Sequence, residues 1–144
     1  MEYAKFEDTY IVRLDRTEEI IASLTALAER EDIALAQVSG LGAIDSFTVG
    51  VFFPAEKVYR KNDFHGNFEI TSLTGTITRM DGKPYLHLHM SAGNEYGKVN
   101  GGHLNSARVS ATCEVVVRTI NGSVGRKYSE EIGLNLFSIR GEAR

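Results

Sequence analysis

The sequence predicts a single α+β domain in which one main helix, near the N-terminus, packs on a mostly antiparallel or mixed, twisted β-sheet. The 144 residues are 42% hydrophobic and 24% charged, which is typical of one globular domain with a core of its own. One early segment spaces its apolar residues as a helix does, and a period of two dominates the chain beyond it. The domain therefore spans residues 1–144, with a core at about 5–139 and a polar tail at 140–144.

The helix is predicted over residues 17–31. Its apolar side chains fall on one helical stripe: Ile20, Ile21, Leu24, Leu27 and Ala28. Asp15 or Thr17 is expected to cap its start, and Glu18 and Glu19 suit the positive end of its dipole.

The strands are predicted from alternation and from turn residues. A first strand with one buried face ends at Pro54 and alternates Phe47, Val49, Val51 and Phe53 with small or polar residues. An extended run at 68–80, with a bulge near Ser72, should pair antiparallel with 83–91 through an Asp81-Gly82 turn.

A second hairpin is predicted by the same rule at Asn121-Gly122, where 109–120 would pair with 123–128. A last short strand is expected at 134–139.

Composition narrows the classes of function. The lone Cys113 cannot close an intramolecular disulfide and lies in an apolar run, which indicates a reducing compartment. No export signal or membrane-spanning run is visible, so a cytoplasmic protein without a membrane partner is expected. The net charge of −3 and pI near 5.8 do not support DNA binding through phosphate contacts, which would need a local basic patch.

Three histidines form the main candidate site. In the strand 85–91, His87 and His89 share one face and lie about 6.6 Å apart, so two imidazoles can converge on one metal ion. His103 follows Gly101-Gly102, where the glycines permit a close approach of the backbone. The alternative interpretation is that the pair is merely polar on a half-exposed strand and that His103 is a turn residue.

A site with three neutral imidazoles would leave at least one coordination position open for water or an anion. Glu114 falls on the polar face of its strand and is a candidate to orient a ligand histidine or a bound water. Its alternative interpretation is a solvated carboxylate.

Several motifs occur in order at compatible spacings over residues 5–139. They are Ser39-Gly40-Leu41-Gly42-Ala43, Gly66-Asn67-Phe68-Glu69-Ile70-Thr71-Ser72-Leu73-Thr74-Gly75, Tyr85-Leu86-His87-Leu88-His89, Gly101-Gly102-His103-Leu104 and Ala111-Thr112-Cys113-Glu114-Val115. Through them the chain resembles the plants-and-prokaryotes conserved (PPC) domain, which occurs with AT-hooks in plant nuclear proteins and stands alone in many prokaryotes.

The resemblance implies an α+β sheet fold, a homotrimer and a metal, zinc or another divalent transition metal, held by His87, His89 and His103. It also places the plant partner-contact motif on Gly66, Phe68, Glu69 and Ile70. The sequence departs from that motif at Asn67 and Thr71.

No AT-hook is present in this sequence. The most similar string, Arg140-Gly141-Glu142-Ala143-Arg144, lacks the Arg-Gly-Arg-Pro core that enters the A·T minor groove.

The expected function is that of a trimeric PPC domain of the DNA-binding or transcription-regulatory type with a three-histidine metal site. The alternatives are a metal-dependent enzyme acting on a small carboxylate or carbonyl metabolite, and a sensor that binds a small anionic ligand at the metal. A non-enzymatic role is favoured, and no catalytic residue is assigned.

Overall fold

A computed structural model describes residues 1–139, so the predicted tail at 140–144 lies outside the described residues. Within 1–139 the chain forms eight strands and one helix. In chain order they are β1 (Glu2–Phe6), β2 (Thr9–Asp15), α1 (Ile20–Arg30), β3 (Ala36–Phe53), β4 (Val58–Met80), β5 (Lys83–Asn94), β6 (Val99–Thr119), β7 (Gly125–Ser129) and β8 (Leu134–Ser138).

Six strands form one antiparallel sheet in the order β1-β2-β6-β3-β4-β5. β5 also pairs with β6, from His89 opposite His103 to Gly93 opposite Val99. The strands β3, β4, β5 and β6 therefore form a closed ring of hydrogen-bonded neighbours. β7 and β8 form a separate antiparallel hairpin.

The helix confirms the predicted apolar stripe. Ile20, Leu24 and Leu27 are fully buried, and burial of each such side chain contributes about 1.5–3 kcal/mol. An isolated helix of 11 residues is marginal in water, so this packing against the sheet holds α1 in place.

The predicted helix start is wrong. Asp15 and Thr17 do not cap α1, because residues 15–18 form a turn in which the backbone N–H of Glu18 donates to the carbonyl of Asp15. Glu19 is the cap, and its carboxylate accepts hydrogen bonds from the backbone of Ile21 and Ala22.

The Asp81-Gly82 hairpin is confirmed. Both residues have positive φ, 51° and 78°, and Met80 lies opposite Lys83 at the start of the antiparallel β4–β5 pairing. The bulge expected near Ser72 is also present as a shift of register between Ile70 and Ser72.

The second predicted hairpin is wrong. The C-terminal half of β6 has β2 on one edge and β3 on the other, so no edge is free for the segment after Asn121-Gly122. That segment instead forms β7, which pairs with β8. The last strand is confirmed at Leu134–Ser138.

The first predicted strand is the end of a much longer one. Phe47 and Val49 are buried as expected, but Val51 is 51% exposed because the β3–β6 pairing ends at Gly50 opposite His103. The strands β1 and β2 were not predicted from the sequence.

Candidate metal centre

Strand alternation places the first two histidines as predicted. On β5 the side chains of Leu88 and Met90 are buried in the core, and His87 and His89 lie on the opposite face. His103 lies in β6 directly opposite His89, so it belongs to a strand and not to a turn. The triad is thus formed by two neighbouring strands at the place where the ring closes.

Glycines allow the strands to approach each other here. A Cβ on Gly101 would lie 2.6 Å from the carbonyl oxygen of Met90, and one on Gly102 would lie 2.7 Å from that of Gly50. A Cβ on Gly75 would collide with the carbonyl oxygen of His87. The close approach predicted for Gly101-Gly102 is confirmed, and Gly75 supplies a third such position.

The three imidazoles converge. Their ring centroids are 5.2 Å apart for His87 and His89, 5.1 Å for His87 and His103, and 5.6 Å for His89 and His103. Each offers a ligand nitrogen within 4.8 Å of the others. Tetrahedral zinc with Zn–N bonds near 2.0–2.1 Å needs nitrogens about 3.3 Å apart. Side-chain rotations that move each nitrogen by about an ångström would therefore fit the triad to such an ion.

The environment favours the neutral form of two of the three imidazoles, His87 and His103. Burial lowers the pKa of His87 to about 4, and the neighbouring charges of His103, His89 and Arg126 act in the same direction. Burial and the proximity of His89 also lower the pKa of His103. A neutral imidazole has the free lone pair that a metal ion needs, so these two side chains are prepared for coordination at neutral pH.

Tyr59 supports His103 from β4. Its ring meets the imidazole edge to face at a centroid distance of 5.9 Å, and its hydroxyl donates to Oδ1 of Asn105 at 2.8 Å. Gly50 leaves the space that this ring occupies, because a Cβ there would collide with Tyr59. Sequence reasoning missed Tyr59, since nothing in the local pattern of β4 indicates that it reaches β6.

The triad opens into a cleft of about 880 Å³. The end of β3 forms one wall, and the β7–β8 hairpin forms another. Apolar side chains dominate these walls, including Val51, Phe52, Leu134, Leu136 and Phe137. The volume lies within the usual range for small-molecule sites.

Arg126 of β7 enters the same cleft. Its guanidinium contacts two aromatic rings, 4.5 Å from the centroid of Tyr85 and 4.3 Å from that of Phe137. Its Nε donates to Oγ1 of Thr78 at 3.1 Å, and its Nη1 donates to the carbonyl of Asn135 at 3.1 Å. Sequence reasoning gave Arg126 no role, because its partners come from three other strands.

Glu114 is not brought to the triad. It lies on β6 opposite Arg13 of β2 and Leu41 of β3, far along the strand from His103, and it does not line the cleft.

The residues of the partner-contact motif lie on or beside β4 and away from the cleft. Ile70 is buried, and the ring of Phe68 packs edge to face on Phe47 at 5.0 Å. Gly66 and Glu69 are exposed. Of the four motif residues, only Gly66 and Glu69 are therefore exposed to a partner in the described chain.

Two further findings concern Cys113 and the helix. Cys113 is fully buried, as predicted, and burial raises the pKa of its thiol to about 12. Across residues 1–139, no helix has both the length and the apolar character needed to cross a membrane.

Solved structures share this fold over nearly their whole length. A protein of Bacteroides thetaiotaomicron that is provisionally described as DNA-binding is 34% identical, with a TM-score of 0.93 over 95% of this chain and 96% of that one. A metal-containing protein of Archaeoglobus fulgidus is 33% identical, with a TM-score of 0.86 over 96% of each chain. A plant- and prokaryote-conserved (PPC) protein of Pyrococcus horikoshii is 28% identical, with a TM-score of 0.84 over 98% and 96%.

A search of curated proteins gives no match. The family model of the Plants and Prokaryotes Conserved (PCC) domain, the same family under another abbreviation, matches residues 1–121. The match includes β1 to β6 and all three histidines, and it ends before the β7–β8 hairpin. The resemblance inferred from the sequence is confirmed: this chain belongs to the Plants and Prokaryotes Conserved domain family.

Proposed function

We propose that this domain binds a divalent transition metal, zinc first among them, through His87, His89 and His103, and that it acts as a metal-containing regulatory module. The observation that carries the proposal is the convergence of three imidazoles from two paired strands, with ligand nitrogens within 4.8 Å of one another.

The chemistry of the donors supports this class of metal. Imidazole nitrogen suits zinc, copper, nickel and iron, whereas calcium and magnesium prefer oxygen ligands. Three neutral ligands leave a coordination position open, which is typical of sites that bind something further and not of purely structural ones. The description of the Archaeoglobus neighbour as metal-containing supports the same proposal.

Metal content tests the proposal. Protein purified without a histidine tag and incubated with zinc, then desalted, should retain about one zinc per chain by elemental analysis. The double variant His87→Ala/His89→Ala should retain almost none, because a single imidazole holds the ion far more weakly than three.

The matched control is His65→Ala. His65 is exposed on β4 opposite Ser46 and lies outside the triad, so its loss should leave the zinc content unchanged. Equal zinc in wild type and the double variant would refute the site.

A homotrimer that contacts DNA is the second candidate. The description of the Bacteroides neighbour favours the DNA contact, and the resemblance to plant members favours the trimer. Since the chain carries a net charge of −3, such a contact would use a local group of basic side chains, not the charge of the whole molecule.

A further inference from the structure

We infer that the cleft beside the histidine triad binds a small carboxylate with an apolar body, and that Arg126 is the second anchor of its anionic group. This inference rests on the proposed metal site and names the class of ligand that the site would take.

The charges of the cleft favour an anion. Arg126 brings one positive charge, a divalent metal on the triad would bring two, and none of the residues of 1–139 that line the cleft is Asp or Glu. Burying positive charge without a counter-charge is costly, so the favourable occupant is negatively charged. A ligand with a carboxylate supplies the missing charge.

The guanidinium of Arg126 is held in place, but one of its hydrogen-bond donors has no acceptor within residues 1–139. Thr78 and Asn135 accept hydrogen bonds from Nε and Nη1, and the guanidinium lies over the rings of Tyr85 and Phe137. Nη2 is buried, and no group within residues 1–139 accepts a hydrogen bond from it. A buried donor without an acceptor is unfavourable, and a carboxylate oxygen is the strongest acceptor that a ligand can offer it.

Arg126 and the triad line the same cleft, so one carboxylate could contact both. Tyr85, which contacts the guanidinium, is the same-face neighbour of His87 on β5, one step of about 6.6 Å along the strand. A carboxylate can place one oxygen about 2.0–2.2 Å from a metal and the other about 2.9 Å from a guanidinium nitrogen.

The walls of the cleft select the rest of the ligand. Val51, Phe52, Leu134, Leu136 and Phe137 present apolar surface around a volume of about 880 Å³. Burying such surface is favourable at about 25 cal/mol per Å². The body of the ligand is therefore apolar, and an aromatic ring fits within this volume.

Arg126 also has a structural role, because its contacts with Thr78 and Tyr85 hold the β7–β8 hairpin against β4 and β5. Lys57 holds the same hairpin from another side, through a hydrogen bond of 2.5 Å from Nζ to the carbonyl of Glu130, and it does not line the cleft. A substitution of Lys57 is therefore a matched control: it removes a contact that holds the hairpin without removing a positive charge from the cleft.

The test is calorimetric titration of the zinc-loaded protein with benzoate and with benzamide, which has nearly the same shape but no charge. Benzoate should bind at least about tenfold more tightly than benzamide, as expected for a charge-assisted contact. Arg126→Gln should weaken benzoate binding by about tenfold or more, with benzamide binding and zinc content unchanged. Lys57→Gln should bind both probes as the wild type does.

Three results would overturn the inference: equal affinity of the wild type for the two probes, unchanged benzoate binding in Arg126→Gln, or equal loss of both probes in Arg126→Gln. The last would show that Arg126 acts only by holding the hairpin. Failure of the metal site is distinguishable, because the wild type would then retain no zinc. Retained zinc without preference for benzoate contradicts the anion site alone.

Discussion

The proton affinity of His87 follows from its neighbours. Two other imidazoles and the Arg126 guanidinium surround it, so a proton on His87 would be partly buried and close to other positive charges. These effects favour the neutral form at every pH near neutrality.

We therefore predict that His87 of the metal-free protein titrates with a pKa of about 4, whereas it titrates near 6.5 in urea. Between these values the unfolded chain binds a proton that the folded chain does not, so stability contributed by His87 is present above pH 6.5 and falls as the pH falls toward 4. NMR of the imidazole protons measures the pKa.

His103→Ala is the matched variant for this titration. It removes one neighbouring imidazole and should raise the pKa of His87 toward its ordinary value. A folded wild type whose His87 titrates at 6.5 would contradict the arrangement of the triad.

At this scale, the sequence predicted what depends on neighbours along the chain. Alternation was enough to place His87 and His89 on one face, and the glycines before His103 indicated a close approach. Tyr59 and Arg126 could not be predicted, because they reach the site from strands that lie far from the three histidines in the sequence.

Among the elements, α1 is joined to the sheet through its cap. One carboxylate oxygen of Glu19 accepts from the backbone of Ile21 and of Ala107 in β6, and the other accepts from Ala22. A single side chain thus satisfies two N–H groups at the helix start and one in the sheet.

Glu19→Ala should lower the free energy of unfolding by about 1–2 kcal/mol, because it leaves these donors without their acceptor. The midpoint of urea unfolding measures the loss. Glu29→Ala is the same change at an exposed position of the same helix, and it should stay within about 0.5 kcal/mol of wild type. Equal effects of the two substitutions would show that the cap contributes nothing.

Turn signals predicted where strands reverse, but not with which strand they pair. The hairpin predicted at Asp81-Gly82 is present because β4 and β5 each have an edge free to pair with the other. The hairpin predicted at Asn121-Gly122 is absent because β2 and β3 occupy both edges of β6. The great lengths of β3, β4 and β6 were also hidden, since shifts of register at Gly40–Gly42 and Ile44–Ser46 interrupt the alternation that reveals a strand.

For the whole molecule, composition and charge constrain partners more than they constrain the fold. The net charge of −3 opposes a general attraction to nucleic acid, so DNA binding by the proposed trimer would depend on a few contacts with phosphates.

Such binding should appear at 50 mM salt and weaken by about tenfold or more toward 200 mM, because each phosphate contact releases counterions. A fluorescence titration with duplex DNA across this range measures the effect, and sedimentation equilibrium of the same sample should give the mass of three chains. No binding at the lowest salt would remove the DNA candidate, and a monomer mass would remove the trimer.

The pairing of β5 with β6 has a consequence for how the protein keeps its shape. This pairing is short, from His89 opposite His103 to Gly93 opposite Val99, and without it the sheet would be open instead of a closed ring. Two of the three candidate ligands, His89 and His103, face each other at one end of the pairing. An ion bound there would hold β5 and β6 together, so its binding free energy would also stabilise the closed ring. Metal binding and folding would then be coupled, so that a change in one would change the other.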